Sequence, residues 1–463
     1  MSARPDNRPK ALVYGLAVAG VSTVRALLRH GHDVIAADDT ITPERLATAT
    51  ELGVELIDSS VRSVDELLDG CSMLCPAPGV PETHPIIEAA LARGIEIVSE
   101  IELAYRWEQQ RPGGPRRMLA VTATDGKTTT SKLAVHLLEA AGVRSIDAGN
   151  TDTPLVDALD AVDEVGNERY DAFVVECSSF RLAWTPTFRA DAAAWLNLQP
   201  DHLNWHRSMN AYEAAKAQVF ANQTAADVAI GFAEDPVVMA WLAQAPGRQC
   251  SFGGPDADYR VENATLVGPN GTIAPLRSLR RRLPHDVTNA LAASALVLET
   301  GLADAAAVAS GLATFVGPPH RLERIATING IDWYNDSKAT TPHAAAAAIR
   351  SFERIVLIAG GADKGVALSS MAAEPERFAG VIGLGATAPN IVELFIAAGV
   401  NAERVVDVQT LERAVTQAAE WAGDGDVVLL SPGCASLDQF ASFEVRGDTF
   451  RRLVAALSQE VSA

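Results

Sequence analysis

The sequence predicts an α/β protein of three consecutive domains, each built on a mainly parallel sheet covered by helices. Three observations predict it. Short apolar, β-branched runs alternate with helical patterns along most of the chain. Glycine-containing turns follow several of those runs, at the point where a strand passes into a helix. And 463 residues exceed what one hydrophobic core can organise, with a length prior of about three domains. The boundaries are placed at 1–110, 111–317 and 318–463. The first follows from the polar run Gln-Gln-Arg-Pro-Gly-Gly-Pro-Arg-Arg over 109–117, and the second from Val316-Gly317-Pro318-Pro319-His320-Arg321.

In the first domain a strand over 11–14 runs into Gly15-Leu16-Ala17-Val18-Ala19-Gly20. A helix and a second strand over 34–37 follow, ending at Asp38 and Asp39. This is a Rossmann-like β-α-β unit with a degenerate fingerprint, because Ala17 stands at the middle glycine. A dinucleotide site, a nucleotide-diphosphate site and a purely structural turn all fit it. A loop at Pro76-Ala77-Pro78-Gly79, a helix over 85–93, a strand over 95–98 and a helix over 100–108 complete the domain.

The second domain opens with a buried strand over 119–122, the turn Thr124-Asp125-Gly126-Lys127-Thr128-Thr129, and a helix carrying Leu133, Leu137 and Leu138. Strand, tight Gly-Lys-Thr turn and helix form a cradle for phosphate: backbone N–H groups face the anion, Lys127 adds a cation, and a Thr hydroxyl can hold Mg²⁺. The eight-residue phosphate-loop pattern fails at Val121, whereas the compact form G-T-x-G-K-[ST]-[ST] fits, with Ala123 at its first glycine. Further strands over 172–175 and 192–198 end at Glu176-Cys177-Ser178-Ser179-Phe180 and at Asn197 and Asp201-His202. Ligands gather at the carboxyl ends of parallel strands, so Lys127, Thr128, Glu176 and His202 are expected at one edge. Glu176 and His202 suit Mg²⁺ beside phosphate; a helix-capping role is the alternative for Glu176. His202 and His206 have zinc-like spacing but lack the glutamate of H-E-x-x-H. Lys216, read alone on its helix over 211–220, is a solvated surface lysine.

The third domain carries a polar loop, Asn335-Asp336-Ser337-Lys338-Ala339-Thr340-Thr341, after a strand over 331–334. Strands over 355–359, 380–384 and 426–430 alternate with helices. Gly360-Gly361-Ala362-Asp363-Lys364-Gly365 and Ser431-Pro432-Gly433-Cys434-Ala435-Ser436 follow two of them and favour an anion or carboxylate site. Cys434 has no local His–Asp partner and is read as a packing residue.

A net charge of −20 argues against nucleic-acid and membrane-surface partners but leaves room for small anions held by local cations. Five cysteines without metal-ligand pairing read as free thiols in a reducing cytoplasm. With no signal peptide and no long apolar run, the chain is expected to be cytoplasmic, acting as a monomer on small molecules.

These motifs together resemble the Mur ligases, ATP-dependent amide-forming enzymes of peptidoglycan synthesis, over nearly the whole chain. The phosphate loop resembles G-T-x-G-K-[ST]-[ST]; Glu176-Cys177-Ser178-Ser179-Phe180 is similar to E-x-S-S-F; Asp201-His202-Leu203 to D-H-[LM]; His285-Asp286-Val287-Thr288-Asn289-Ala290 to H-N-x-x-N-A; and Pro319-His320-Arg321 to P-[HG]-R. Residues 335–340 match N-D-S-K-A-T without change. The run 431–440, S-P-G-C-A-S-L-D-Q-F, is similar to the S-P-A-C-A-S-x-D-Q-F of the D-glutamate-adding member.

The resemblance implies a Rossmann-like first domain that binds a UDP-sugar, a central ATPase-like phosphate-loop domain and a Rossmann-like C-terminal domain that binds the amino acid. It implies addition of D-glutamate to UDP-N-acetylmuramoyl-L-alanine through an acyl phosphate, with ATP as co-substrate and two Mg²⁺. By resemblance Thr124, Asp125, Gly126, Lys127, Thr128, Thr129, Asn289, Arg321 and Asp336 bind ATP. Thr128, Glu176, His202 and a carbamylated Lys216 hold metal, which reverses the surface reading of Lys216. Lys127, His202, Lys216 and Lys338 are the catalytic group. Val18, Ala19, Asp38, Gly79 and Asn150 correspond to UDP-sugar positions; Lys364, Ser436 and Phe443 to the D-glutamate pocket; Ser178, Lys338, Thr340 and Leu437 to further substrate contacts. ATP and amino-acid residues lie on different domains, so closure between two conformations is expected. Departures from the family pattern fall at Ala17, Ala123, Asp125, Asp152, Arg181, Asp286 and Thr341. The alternatives are a related ligase for another amino acid such as L-glutamate, a folylpolyglutamate-type ligase, an inactive Mur-like binding protein, and a nicotinamide oxidoreductase, which would leave the later motifs unexplained.

Overall fold

Five short strands open the chain: β1 (Lys10–Tyr14), β2 (Asp33–Asp38), β3 (Leu56–Asp58), β4 (Met73–Pro76) and β5 (Glu96–Ile97). They pair in parallel in the order β3-β2-β1-β4-β5. Leu12 and Leu74 face one apolar cluster, Val13 and Cys75 the other, as a sheet covered on both faces requires. The helix Pro85–Arg93 has the predicted bounds, set by Pro85 in its first turn and by Gly94 in the left-handed conformation after it. This computed structural model describes residues 9–363 and 365–462.

A second parallel sheet follows: β6 (Arg117–Thr122), β7 (Ser145–Gly149), β8 (Ala172–Glu176), β9 (Ala192–Trp195), β10 (Val228–Phe232) and β11 (Arg248–Phe252), in the order β11-β10-β9-β6-β8-β7. β6 lies between β8 and β9, so the loop after β6 is flanked by Glu176 on one side and by the chain leaving Trp195 on the other. The strand expected over 192–198 stops at Trp195, because Asn197 is diverted to the phosphate loop. A small antiparallel sheet, β12 (Arg260–Glu262), β13 (Thr265–Gly268) and β14 (Gly271–Pro275), lies beyond it.

Residues Met1–Phe315 form one compact unit and Val316–Ala463 another. The helix Glu100–Gln109 explains why both parallel sheets belong to the first. Three of its carboxylates are buried, and buried charge persists only where partners surround it. Glu102 accepts from Thr187 N, Thr187 Oγ1, Phe188 N and Arg106 Nε, and Glu108 accepts from Arg116 Nε and Nη2. The polar run 109–117 is thus fastened at its end by ion pairing.

The second unit has one sheet of β15 (Glu323–Ile328), β16 (Ile331–Asn335), β17 (Ile355–Gly360), β18 (Phe378–Leu384), β19 (Val405–Gln409) and β20 (Val427–Leu430), ordered β15-β16-β20-β17-β18-β19. Only β15 runs antiparallel, as a hairpin with β16. The carboxyl ends of β16, β20 and β17 are adjacent and carry the loops after Asn335, Leu430 and Gly360. Among the described residues no helix is long and apolar enough to cross a membrane.

Candidate active site

The loop between β6 and the helix Lys127–Ala140 is held by Asn197. Its Oδ1 accepts from Thr124 N (3.1 Å) and Asp125 N (2.9 Å), while its Nδ2 donates to Asp125 O (2.9 Å). Thr124 Oγ1 meets Tyr212 OH at 3.0 Å and accepts from Gln199 N at 2.9 Å. Gly126 lies at φ +92°, and a Cβ there would come within 2.9 Å of Asn289 Oδ1. Glycine is therefore demanded twice, by the left-handed backbone and by the close approach of Asn289. Asn289 also accepts from Thr130 Oγ1 at 3.2 Å, so its side chain lies against the loop. Ala123 is absent from the positive-φ positions, and its methyl is fully buried in the core. The substitution for glycine there is accommodated without backbone strain.

Two lysines converge on a single carbonyl. Lys127 Nζ donates to Ala123 O at 2.9 Å and to Thr124 O at 2.9 Å, and Lys216 Nζ donates to the same Ala123 O at 2.6 Å. Lys216 is 1% exposed and lies 4.7 Å from the centre of the Tyr212 ring. The surface reading of Lys216 fails because its helix, Met209–Ala221, turns this position toward β6. Burial, and then the charge of Lys127, hold the Lys216 amine well below its ordinary value of 10.5, with Asp201 and Asp125 pulling the other way. A buried lysine whose charge is disfavoured in this way gives up its proton more readily, and its deprotonated amine is a nucleophile.

Glu176 is 2% exposed at the end of β8. Its Oε1 accepts from Asn150 Nδ2 at 3.0 Å, and its Oε2 has no hydrogen-bond partner. The helix-capping alternative is closed, since Ser178 caps the helix Ser179–Leu182 by accepting from Arg181 N. An orphaned carboxylate oxygen beside a phosphate loop fits a hard cation bound through one carboxylate and phosphate oxygens. The half-buried Thr128 hydroxyl in the first helical turn can join it. His202 stands at φ +55° next to Asp201, its imidazole pKa lowered by burial and by Lys127, Lys216 and His206, against the pull of Asp201. The zinc spacing carries no zinc site: His206 Nδ1 meets Glu82 Oε1 and its Nε2 meets Ser179 Oγ, both at 2.9 Å. Among the described residues no group of three or more His, Cys, Asp or Glu side chains could hold a metal by itself.

At the first glycine turn, Gly15 lies at φ +95° and a Cβ would meet the Cβ of Ala77 at 2.7 Å. Ala17 is the extended N-cap of the helix Val18–Arg29, a backbone that alanine adopts as easily as glycine. Asp38 is turned inward: Oδ2 accepts from Leu16 N (2.7 Å), and Oδ1 from Arg45 Nη1 (2.6 Å) and Thr40 N (3.0 Å). It shapes the turn, with Val18, Ala19 and Gly79 partly or fully exposed around it.

In the second unit, Asp336 accepts from Leu322 N (3.0 Å) and Ser431 Oγ (2.7 Å), joining two of its loops. Lys338 Nζ lies 5.6 Å from the Phe443 ring centre, Thr340 N donates to Lys338 O, and Arg321 is half-buried nearby in sequence. Ser436 is buried and Leu437 is 72% exposed. Lys364 lies outside the described residues. Cys434 packs as expected, its Sγ 3.4 Å from Thr387 Oγ1 and its thiol pushed up by burial. Sequence reasoning missed Arg446, which is 1% exposed on the helix Phe443–Ser462. It donates to Ser337 Oγ and O (both 2.9 Å), to Cys434 O (3.3 Å from each Nη) and to Ala435 O (3.4 Å). Burial pushes its guanidinium down to about 10.

Comparison with known proteins follows this anatomy. The chain matches the MurD-like N-terminal domain of Mur ligases over residues 9–99, the Mur ligase middle domain over 121–297, and the Mur ligase glutamate ligase domain over 320–434. It is 38% identical to a UDP-N-acetylmuramoylalanine–D-glutamate ligase of Thermobifida fusca, over 97% of this chain and 98% of that protein. Proteins of the same name from Frankia casuarinae and Myxococcus xanthus are each 37% identical, covering 96% and 97% of this chain and 93% and 98% of their own. Among solved structures, UDP-N-acetylmuramate-alanine ligase MurC of Thermotoga maritima shares the fold at a TM-score of 0.56 and 19% identity, over 97% of this chain and 99% of that one. MurF of Acinetobacter baumannii does so at 0.58 and 15%, over 97% and 90%.

Proposed function

This chain belongs to the Mur ligase family, and from that premise we propose that it joins D-glutamate to UDP-N-acetylmuramoyl-L-alanine, converting ATP to ADP and phosphate. The reading places it in peptidoglycan precursor synthesis, as a monomeric cytoplasmic enzyme. The observation that carries the chemistry is the pair of lysines meeting at Ala123 O on a phosphate loop, with the idle oxygen of Glu176 at the end of the adjacent strand.

A carboxylate is a poor electrophile and repels a triphosphate, so the first task is to neutralise charge. Lys127, at the start of the loop helix, turns to the γ-phosphoryl group once nucleotide binds. The loop's N–H groups and Asn289 position the phosphates, with Thr124, Asp125, Gly126, Thr128 and Thr129 forming the cradle. The alanyl carboxylate oxygen attacks the γ-phosphorus as the bond to the β-phosphate oxygen breaks, giving ADP and an acyl phosphate. The neutral amine of D-glutamate then attacks the acyl carbon. Loss of a proton and departure of phosphate leave the amide. Lys338, with Thr340, Ser436, Leu437, Phe443 and Lys364, serves the incoming amino acid, and Arg321 and Asp336 serve the nucleotide.

Thr128, Glu176 and His202 are the residues that would hold Mg²⁺, whose role is to draw charge from the phosphate oxygens. Lys216 is assigned a carbamate: its amine, in the deprotonated form that burial favours, adds to CO₂, forming an N–C bond and releasing a proton, which leaves a carboxylate able to support a second ion. Val18, Ala19, Asp38, Gly79, Asn150 and Ser178 are assigned to the UDP-sugar.

The test is phosphate release from ATP with UDP-N-acetylmuramoyl-L-alanine and each enantiomer of glutamate in turn. Release that requires the D-enantiomer is expected. Release only with L-glutamate, or only with a folate acceptor, would replace this reading by that of a related ligase. No ADP under any condition would make the chain a binding protein.

A further inference from the structure

Behind the first glycine turn lies a cavity of about 10 Å³, room for one oxygen-sized group. Its walls include Ala19, Gly20 and Thr23 from the first turns of the helix Val18–Arg29, together with Ser99, Glu100 and Arg181. The polar groups around it are poorly matched to one another. Arg181 is 5% exposed, yet its Nε and Nη1 have no hydrogen-bond partner. Ser99 Oγ and Glu100 Oε1 have none either. Arg181 Nε and Glu100 Oε1 are 3.3 Å apart, close enough for attraction but out of line for a hydrogen bond. Glu100 Oε2 is occupied by Val156 N at 3.2 Å. Burial raises the Glu100 carboxyl while Arg181 opposes the rise, so the pair lacks the geometry of a settled buried salt bridge.

The helix end adds a second donor set. Ala17 supplies no side-chain cap, and the first bond into the helix is Val21 N to Ala17 O. The N–H groups before Val21 therefore have no carbonyl partner within the helix, and the helix dipole favours an anion there. A buried guanidinium with two idle donors on the far side of the same cavity favours the same ligand.

We propose that Arg181 is a substrate-binding residue that acts with the N-terminus of the helix Val18–Arg29 to receive one phosphoryl oxygen of the nucleotide-sugar diphosphate. This rests on the reading of the first domain as the nucleotide-sugar site. Glu100 is the counter-charge that holds Arg181 until the ligand arrives, and the ligand oxygen takes over the donors that Glu100 leaves idle. Arginine at 181 thereby supplies a charge that an uncharged side chain would lack.

The test is calorimetric titration of UDP-N-acetylmuramoyl-L-alanine, UDP and uridine into the full-length wild type, Arg181→Gln and Glu100→Gln, with ATP titrated as a check on folding. Arg181→Gln should weaken both diphosphates by about 10- to 100-fold, the range for a lost charge-assisted hydrogen bond, and leave uridine and ATP unchanged. Glu100→Gln should tighten UDP several-fold, because the guanidinium loses its only counter-charge in the cavity. UDP binding within twofold of wild type in Arg181→Gln, or weakened UDP binding in Glu100→Gln, would overturn the proposal and leave a structural pair bridged by a buried water. Absence of binding by wild type to any uridine compound would overturn the nucleotide-sugar reading itself.

Discussion

The two compact units each draw their loops together around buried positive charge, and they do it in opposite ways. In the first, two lysines share one carbonyl oxygen, and burial together with the charge of Lys127 makes Lys216 harder to keep charged. In the second, one arginine spreads all five of its N–H donors over Ser337, Cys434 and Ala435. The lysine pair is electrostatically tense, and arriving anions or a carbamate would relieve it. The arginine is saturated, and an arriving ligand would find no donor there. Buried charge by itself does not mark a catalytic group: what separates the two roles is whether the surroundings already satisfy it.

The largest effect is expected at Lys127. Lys127→Ala should lower ADP formation by about a thousandfold or more, the scale of losing a charge that stabilises the transition state, while leaving UDP-substrate affinity within twofold. A coupled ADP assay that keeps more than a tenth of wild-type rate would make Lys127 a mere strut of the loop. Next comes Arg446→Met. It strands buried carbonyls at 337 and 434, while that of 435 keeps its bond from Ala362 N, and should cost about 3 kcal/mol, read from the urea midpoint. An unchanged midpoint would mean that the three loops hold without it.

Lys216 offers a sharper contrast than either. Lys216→Ala should lose about a hundredfold in rate, the scale of one misplaced charged group, and a short-chain carboxylate should restore part of it. No rescue at any concentration would leave a plain structural lysine. Its stability effect runs with pH. The folded chain holds this amine below its ordinary 10.5, so between that lowered value and 10.5 it binds fewer protons than the unfolded chain. Stability then rises with pH across that window and falls as pH drops through it. In CO₂-free buffer, wild type should therefore gain on Lys216→Met from neutral pH toward 10.5; a difference independent of pH contradicts the burial argument. The smallest effect is expected at Ala123→Gly, which restores the family residue. Loss of a buried methyl and added chain freedom should cost about 1 kcal/mol with the rate unchanged; a faster enzyme would mean that the methyl crowds the phosphates.

Much of this was legible in the sequence where strands are buried on both faces. β8, β17 and β18, and β6 beyond Arg117, read as apolar runs because almost nothing along them needs to face water. The loops at their carboxyl ends follow from that placement, which is why Lys127, Glu176 and His202 could be expected at one edge. β12–β14 could not be read the same way: Val261 is exposed and Leu266 buried within strands only three to five residues long. The burial of Lys216 was illegible from its own helix, since its cause, Ala123 O, is 93 residues away. Arg446 was missed for the same reason, with one partner loop 109 residues distant. Arg181 stood out only as a departure from a pattern; its unfinished pairing with Glu100 needed coordinates.

The central claim is that the site around Ala123 activates a carboxylate by phosphorylating it. The direct measurement uses UDP-N-acetylmuramoyl-L-alanine labelled with ¹⁸O in the alanyl carboxylate, ATP and D-glutamate, with the released phosphate analysed by mass. Formation of the acyl phosphate predicts one ¹⁸O in each phosphate released. Amide product accompanied by unlabelled phosphate would contradict it.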